Sequence, residues 1–139
     1  VPNTRKVVKK YFLEISFDEV KYFIYSQYHE YRLFAILVLV EQYKSKKFNE
    51  PHREKIFNFY LEHLEQINNW DLVDVSCHHI LGNYLINRDK NILYKMANSN
   101  NLWHRRISII STFAFINLNK FDDAFAIADI LLCDLLVRR

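Results

Sequence analysis

Apolar residues recur at helical spacing through almost the whole chain, and no stretch of strand length alternates strictly between apolar and polar residues. Such a pattern admits helices packed on helices and little else. It predicts about eight helices: Thr4 to Phe12, Phe17 to Ser26, Glu30 to Lys46, Pro51 to Ile67, Trp70 to Leu85, Asn91 to Ala97, Leu102 to Ile116, and Asp122 to the end. Thr4, Ser16 and Asn69 can accept hydrogen bonds from the unpaired N–H groups of a first helical turn, and Pro51 suits such a turn. The joins are short and polar, as in KFNE at 47–50 and NSNN at 98–101, so consecutive helices should form antiparallel pairs.

These pairs repeat weakly. HEYRLFAILVL at 29–39 and WHRRISIISTF at 103–113 both place polar or basic residues in a first turn before a wide apolar face, and the helix starting at Trp70 falls roughly midway. A unit of about 35 to 40 residues lies at or just below the range of HEAT or armadillo helical pairs. The repeat alone leaves an α-α solenoid and an irregular helical bundle equally open.

Composition removes several function classes. The 139 residues contain one glycine, Gly82, and two prolines, whereas a phosphate-cradling loop or dinucleotide fingerprint needs several glycines where backbone approaches ligand. The excess of 19 basic over 16 acidic residues, a formal charge of +3, permits a polyanionic partner without demanding one. Cys77 and Cys133 stand far apart with no paired spacing, which reads as two reduced thiols of a cytoplasmic protein. The longest apolar run, LFAILVLV at 33–40, falls short of the roughly 18 to 20 residues that span a bilayer.

Two stretches carry candidate chemistry. In NNWDLVDVSCHHILGNYL, residues 69–86, Val73, Cys77, Ile80, Leu81 and Tyr84 form one core-facing stripe. At about 100° per residue, Trp70 and Asp74 lie on one flank of that stripe while Asp71 points nearly the other way. Asp74 therefore sits where a carboxylate can be half buried near an indole, and Asp71 reads as a solvated first-turn acid favoured by the helix dipole. Spacing alone favours the ordinary interpretation, a core-anchoring Trp and an exposed Asp. In NLWHRRISII, residues 101–110, Trp103, Ile107, Ile110 and Ala114 face inward and Arg106 rises beside them. Its planar fork can reach a phosphate, or it can pair with an acid on a neighbouring helix.

Taken together, NNWDLVD and, about 30 residues later, LWHRR resemble the DNA alkylation repair family, the HEAT-like alkylpurine DNA glycosylases of the AlkD type. VPNTRKVVKKY, YHEYRLFAILVL and FDDAFAIADILLCD extend the resemblance in order over essentially the whole chain. It implies an all-α, HEAT-like or armadillo-type superhelix in a single domain over 1–139. It also implies hydrolysis of the N-glycosidic bond of N3- or N7-alkylated purines in double-stranded DNA, without metal or organic cofactor and without drawing the base into a pocket. By the same resemblance Trp70 is the aromatic wall against the deoxyribose, Asp74 the catalytic carboxylate, and Arg106 a contact to the DNA backbone. Trp103 and Arg105, in the same motif, join the expected DNA-binding set, and a monomer is expected. Arg88 and Lys90 are further phosphate candidates at helix ends, whereas Arg5, Lys6, Lys9 and Lys10 read as a solvated helix face.

The sequence also reads as an excerpt, a fragment without the family's first and last helices. It opens without an initiator methionine and stops at LLVRR in an apolar pattern, before the Gly-Trp-x-Leu-Arg-Glu-like segment that bears a further aromatic in the family. The expectation is a fragment poorly active on its own, its LLVRR end exposing a face that a next helix would cover. His63, His78 and His79 make no metal set, since adjacent histidines on a helix diverge by about 100°. The run YFIYSQYHEY reads as interhelical packing with phenol tips on polar partners. The rival function is a HEAT-like scaffold that binds nucleic acid or protein without catalysis, against which the joint presence of Trp70, Asp74 and Arg106 argues.

Overall fold

The computed structural model describes residues 2–137, with side chains described for 2–133, and everything described in it is helix, turn or loop. The chain divides into two compact units, Val1–Asn68 and Asn69–Arg139.

The first unit holds α1 (Pro2–Tyr11), α2 (Phe17–Ile24), α3 (His29–Lys44) and α4 (Glu50–Glu62), followed by a single 3₁₀ turn, Leu64–Gln66. Its centre is α3, which packs against α1, α2 and α4. From Ala35 to Val40 every side chain of α3 is buried, so this helix is apolar all round rather than on one face. Around it close Val8, Val20, Ile24, Ile56, Phe57 and Tyr60.

Local chemistry explains the boundaries. Ser16 caps α2 through a capping box: its hydroxyl accepts from the Glu19 N–H at 3.2 Å while the Glu19 carboxylate accepts from the Ser16 N–H at 3.3 Å. Asn49, a cap not foreseen from the sequence, closes the start of α4 by accepting from the His52 N–H at 3.0 Å, with Pro51 in the first turn. Thr4 is no cap, because α1 already starts at Pro2. Asn69 holds the cap position of its helix without a side-chain bond.

One buried polar side chain organises this unit. Gln42 of α3 donates from Nε2 to the carbonyls of Phe12 (2.7 Å) and Ile15 (2.9 Å), which fixes the α1–α2 loop. Its Oε1 then lies 2.9 Å from His52 Nε2, so the network assigns the imidazole proton to Nε2. His52 stacks on Phe48, and burial, helped by Lys55 and Arg53, lowers its pKa and keeps the ring neutral. Arg53 seals the end of α3 by donating to the carbonyls of Tyr43 and Ser45.

The tyrosine run keeps only part of the packing expected of it: Phe23 of α2 meets Tyr31 and Phe34 of α3 edge-on. Tyr22, Tyr25, Tyr28 and Tyr31 are all at least half exposed, and what packs inward is Ile24. Spaced three apart, these tyrosines fall at the end of α2, in the turn after it and at the start of α3, where no single helical face could bury all four.

The second unit is built from shorter pieces: α5 (Trp70–Asp74), a π turn (His78–Gly82), α6 (Asn83–Leu85), α7 (Asn91–Ala97), α8 (Leu102–Ser111), α9 (Phe113–Ile116) and α10 (Asp122–Val137). The helices expected over 70–85 and 102–116 are each interrupted, the first by a tightened turn at Val75–Ser76 and the π turn, the second at Thr112. The core joins Leu72, Val73, Cys77, Ile80 and Leu81 to Leu93, Ile107, Phe115 and Ile127. After α9 the chain reverses at Asn119, with φ of 58°, the one non-glycine position in the left-handed region among the described residues. The Lys120 N–H bonds the Phe115 carbonyl and the Asn119 N–H bonds the Ile116 carbonyl, a Schellman motif with asparagine in place of glycine. Tyr94 on α7 then anchors the start of α10 by donating to Asp123 at 2.6 Å. The side chains of LLVRR, expected to expose an apolar face, lie outside the described residues.

Candidate functional site

The second unit brings two of the candidate residues into direct contact. Arg106 on α8 donates from Nε to Asp74 Oδ1 at 2.8 Å and from Nη2 to Asp74 Oδ2 at 2.6 Å, a side-on fork that engages both carboxylate oxygens. The pair stays within reach of water, with the Arg106 and Asp74 side chains 40% and 31% exposed. These hydrogen bonds push the Arg106 pKa above its ordinary value. Of the two roles open to Arg106 from the sequence, pairing with an acid on a neighbouring helix is therefore realised, and the acid is Asp74.

Three local features place this pair. Asp74 closes the short helix α5, and Leu72 and Val73, fully buried, pin that helix to the core. Ser76 then turns its hydroxyl back onto the Leu72 carbonyl, which tightens the backbone just after Asp74. The π turn follows, and its Gly82 lies against the junction of α8 and α9: a Cβ there would stand 2.3 Å from the Ser111 carbonyl oxygen and 2.8 Å from the Ala114 Cβ. Only glycine fits such an approach, so the single glycine of the chain sets the distance between the segment bearing Asp74 and the helix bearing Arg106. The scarcity of glycine excludes phosphate loops, but it does not by itself reveal this packing role.

The other candidates fall as follows. Trp70 begins α5, one turn before Asp74, and its indole is 62% exposed, so it is not a core anchor. Asp71, read from the wheel as a solvated acid, is half buried and accepts from the Leu72 N–H at 2.8 Å. Trp103 is half buried in the first turn of α8, its N–H capped by Asn101. Arg105 donates to the Ser99 carbonyl at 2.9 Å across the start of the same helix.

Arg88 and Lys90 are occupied with helix ends. Arg88 donates to the Tyr84 carbonyl and lies 3.9 Å over the Tyr84 ring, and Lys90 reaches the carbonyls of Ile86 and Arg88, both at 3.1 Å. The rings of His78 and His79 do not diverge as a regular helix would have them; their centroids are 4.0 Å apart. No group of three or more His, Cys, Asp or Glu side chains that could hold a metal occurs among the described residues. Beneath the pair, Cys77 is buried, and burial, opposed by a bond to Ser111 and reinforced by the Asp74 charge, pushes its thiol up to about 12.

Comparison with family models gives one identification. The model described as DNA alkylation repair enzyme matches residues 1–135, and the chain belongs to that family. Its all-helical structure agrees with the family's HEAT-like fold. Membership makes this a DNA repair protein of an enzyme family, with DNA as the substrate the family implies. Searches of curated proteins and of solved structures returned no match. No helix among the described residues is long and apolar enough to cross a membrane.

Proposed function

We propose that the protein is a DNA N-glycosylase that releases N3- or N7-alkylated purines from duplex DNA, with Asp74, Trp70 and Arg106 as its working residues. The observation that carries the proposal is the forked Arg106–Asp74 pair, one helical turn from an exposed indole, in a member of this family.

An alkylated purine bears a positive charge, so its glycosidic bond is already weak. As the bond breaks, its electron pair leaves with the base, which departs neutral, and the sugar becomes an oxocarbenium ion. Asp74, held in one orientation, stabilises that cation through an electrostatic field that needs no rearrangement during the reaction. A water then adds to the anomeric carbon and its proton passes to the carboxylate. The Trp70 indole, already outside the core, presents an electron-rich face to the same cationic sugar. This chemistry requires neither metal nor organic cofactor.

Arg106, Arg105 and Trp103 make up the DNA-facing part of α8 in this proposal, with Arg106 contacting the backbone near the lesion. Both thiols are free, which supports a reducing, cytoplasmic setting; a monomer is part of the proposal. Release of alkylpurine from methylated duplex DNA tests the proposal, comparing the wild type with Trp70→Ala and Asp74→Asn. Rates unchanged in both variants sink the site, and salt-sensitive DNA binding without any base release leaves a binding scaffold instead.

A further inference from the structure

The four exposed tyrosines of the first unit line one surface groove of about 620 Å³ between α2 and the start of α3. On α2 its wall is a stripe at helical spacing, Asp18, Lys21, Tyr22 and Tyr25, while Val20 and Ile24 are buried in the core. Tyr22 in that stripe is 76% exposed. Tyr28 and Tyr31 line the groove as an edge-to-face pair, ring centroids 5.6 Å apart and planes at 72°, so the two rings form a notch. Tyr31 is braced in turn by Phe23, whose ring stands 5.9 Å away at 77°. Exposed aromatic surface gathered in one patch marks an interaction site. Tyrosine suits such a site, because it gives a large contact area for only two rotatable bonds.

The chemistry of the walls selects the ligand. Asp18 and Lys21 balance each other, so the groove holds no net charge for a polyanion to meet. Exposed phenols and the Gln27 amide bring hydrogen-bond donors to it. The matching ligand has apolar rings for the tyrosine faces and main-chain carbonyls with no internal partner. A polyproline II strand has both, and its prolines bring no N–H that the groove would leave unpaired. A helix has its carbonyls already engaged. From Asp18 to Tyr25 the stripe covers about 10 Å of helix axis, the length of about three residues, or one turn, of such a strand.

We propose that this groove binds a proline-rich segment of a protein partner in the polyproline II conformation, with proline rings in the notch of Tyr28 and Tyr31 and carbonyls on the phenol hydroxyls. The strand arrives already extended, so little order is lost on binding. The groove lies in the first unit and Asp74 in the second, so the proposal stands whether or not Asp74 acts as a catalytic carboxylate.

The test uses decaproline as the probe, titrated into the ¹⁵N-labelled protein, with a glycine–serine decapeptide and a single-stranded oligothymidylate as comparisons. Expected are amide shifts concentrated over residues 18–31 with decaproline and none there with the other two. Tyr28→Ala should weaken decaproline binding by about tenfold or more. Tyr28→Phe, which keeps the ring and loses the donor, should weaken it by about two- to tenfold. Tyr28 is exposed, so both variants should keep the wild-type melting temperature. Absence of shifts at millimolar decaproline overturns the proposal, as does an equal response to the glycine–serine peptide or an unchanged affinity in Tyr28→Ala. Shifts of the same residues by oligothymidylate in place of decaproline would make the groove a nucleic-acid site. Sedimentation of the protein alone tests the remaining occupant: a dimer formed by wild type and lost in Tyr28→Ala would mean that a second copy fills the groove, and the proposal would be wrong.

Discussion

Gly82 and Ser111 approach so closely that the space a Cβ would need at position 82 is already taken by the Ser111 carbonyl oxygen, 2.3 Å from it. This contact ties the π turn to the end of α8, and the fork joins Asp74, at the end of α5 just before that turn, to Arg106 in the middle of the same helix. Gly82→Ala should therefore do more than strain the backbone. We expect a loss of about 1–3 kcal/mol, the usual cost of forcing an extra carbon into a packed site, and a parting of the ion pair. Urea denaturation and the ¹⁵N NMR signal of the Arg106 Nε–H would record the two effects, and an alanine variant of wild-type stability with the pair intact would contradict this account of the packing.

Trp70→Ala and Ile107→Ala should divide stability from function. The first removes an indole that is 62% exposed, so it should change unfolding free energy by less than about 1 kcal/mol. Ile107, fully buried on α8, should cost about 2–5 kcal/mol when truncated. Thermal melts decide this, and a large loss from Trp70→Ala would mean the indole is a structural anchor after all.

Gln42→Leu removes three hydrogen bonds at once, to the Phe12 and Ile15 carbonyls and to His52. The expected cost is about 2–3 kcal/mol, because partners that lose a buried bond forfeit solvation as well. Amide hydrogen exchange should quicken first around residues 12–16. Protection there equal to wild type would show that the loop is held by something else.

The pH dependence has a sign on each side. His52 has a lowered pKa in the fold, so the stability it contributes is present above its unfolded value of about 6.5 and is lost as pH falls through the folded value. Cys77 has the opposite relation: its thiol rises from 9.0 to about 12, so its contribution is complete below pH 9.0 and disappears as pH climbs toward 12. Melting temperature should accordingly fall at both ends, with His52→Asn flattening the acid side and Cys77→Ala the alkaline side. At pH 8 a thiol reagent should label Cys133, which is exposed, and spare Cys77 in the native protein. Rapid labelling of both thiols would refute the assigned burial.

Much of this molecule can be read from its residues, for identifiable reasons. Helical periodicity located α2, α3 and α7 to within a couple of positions, because apolar spacing and core burial are the same fact seen twice. Ser16 was legible as a cap, since its partner N–H lies three residues on; the reciprocal bond from Glu19 that completes a capping box is seen in the structure. What escaped depends on partners distant in sequence. The π turn after Asp74 ends with Gly82 against the Ser111 carbonyl, a long-range contact that no local pattern encodes. The wheel drawn at a uniform 100° placed the stripe from Val73 to Leu81 correctly; it misjudged Asp71, which turns back onto the Leu72 N–H, and the two histidines, which lie at the π turn. At the candidate site, Trp70, Asp74 and Arg106 came from a motif resemblance. That two of them bond to each other was open in the sequence, because an arginine beside a core stripe serves a phosphate or an acid equally well.

Gln42 has one more implication. It secures the α1–α2 loop by bonding to main-chain carbonyls, which every residue possesses, and it does so from 30 and 27 positions away. The loop's path is thus written in α3 and not in the loop. Residues 12 to 15 are free to drift in identity while the path persists, so in a related sequence a glutamine at the matching point of its central helix would be a better guide to this corner of the fold than any likeness in the loop itself.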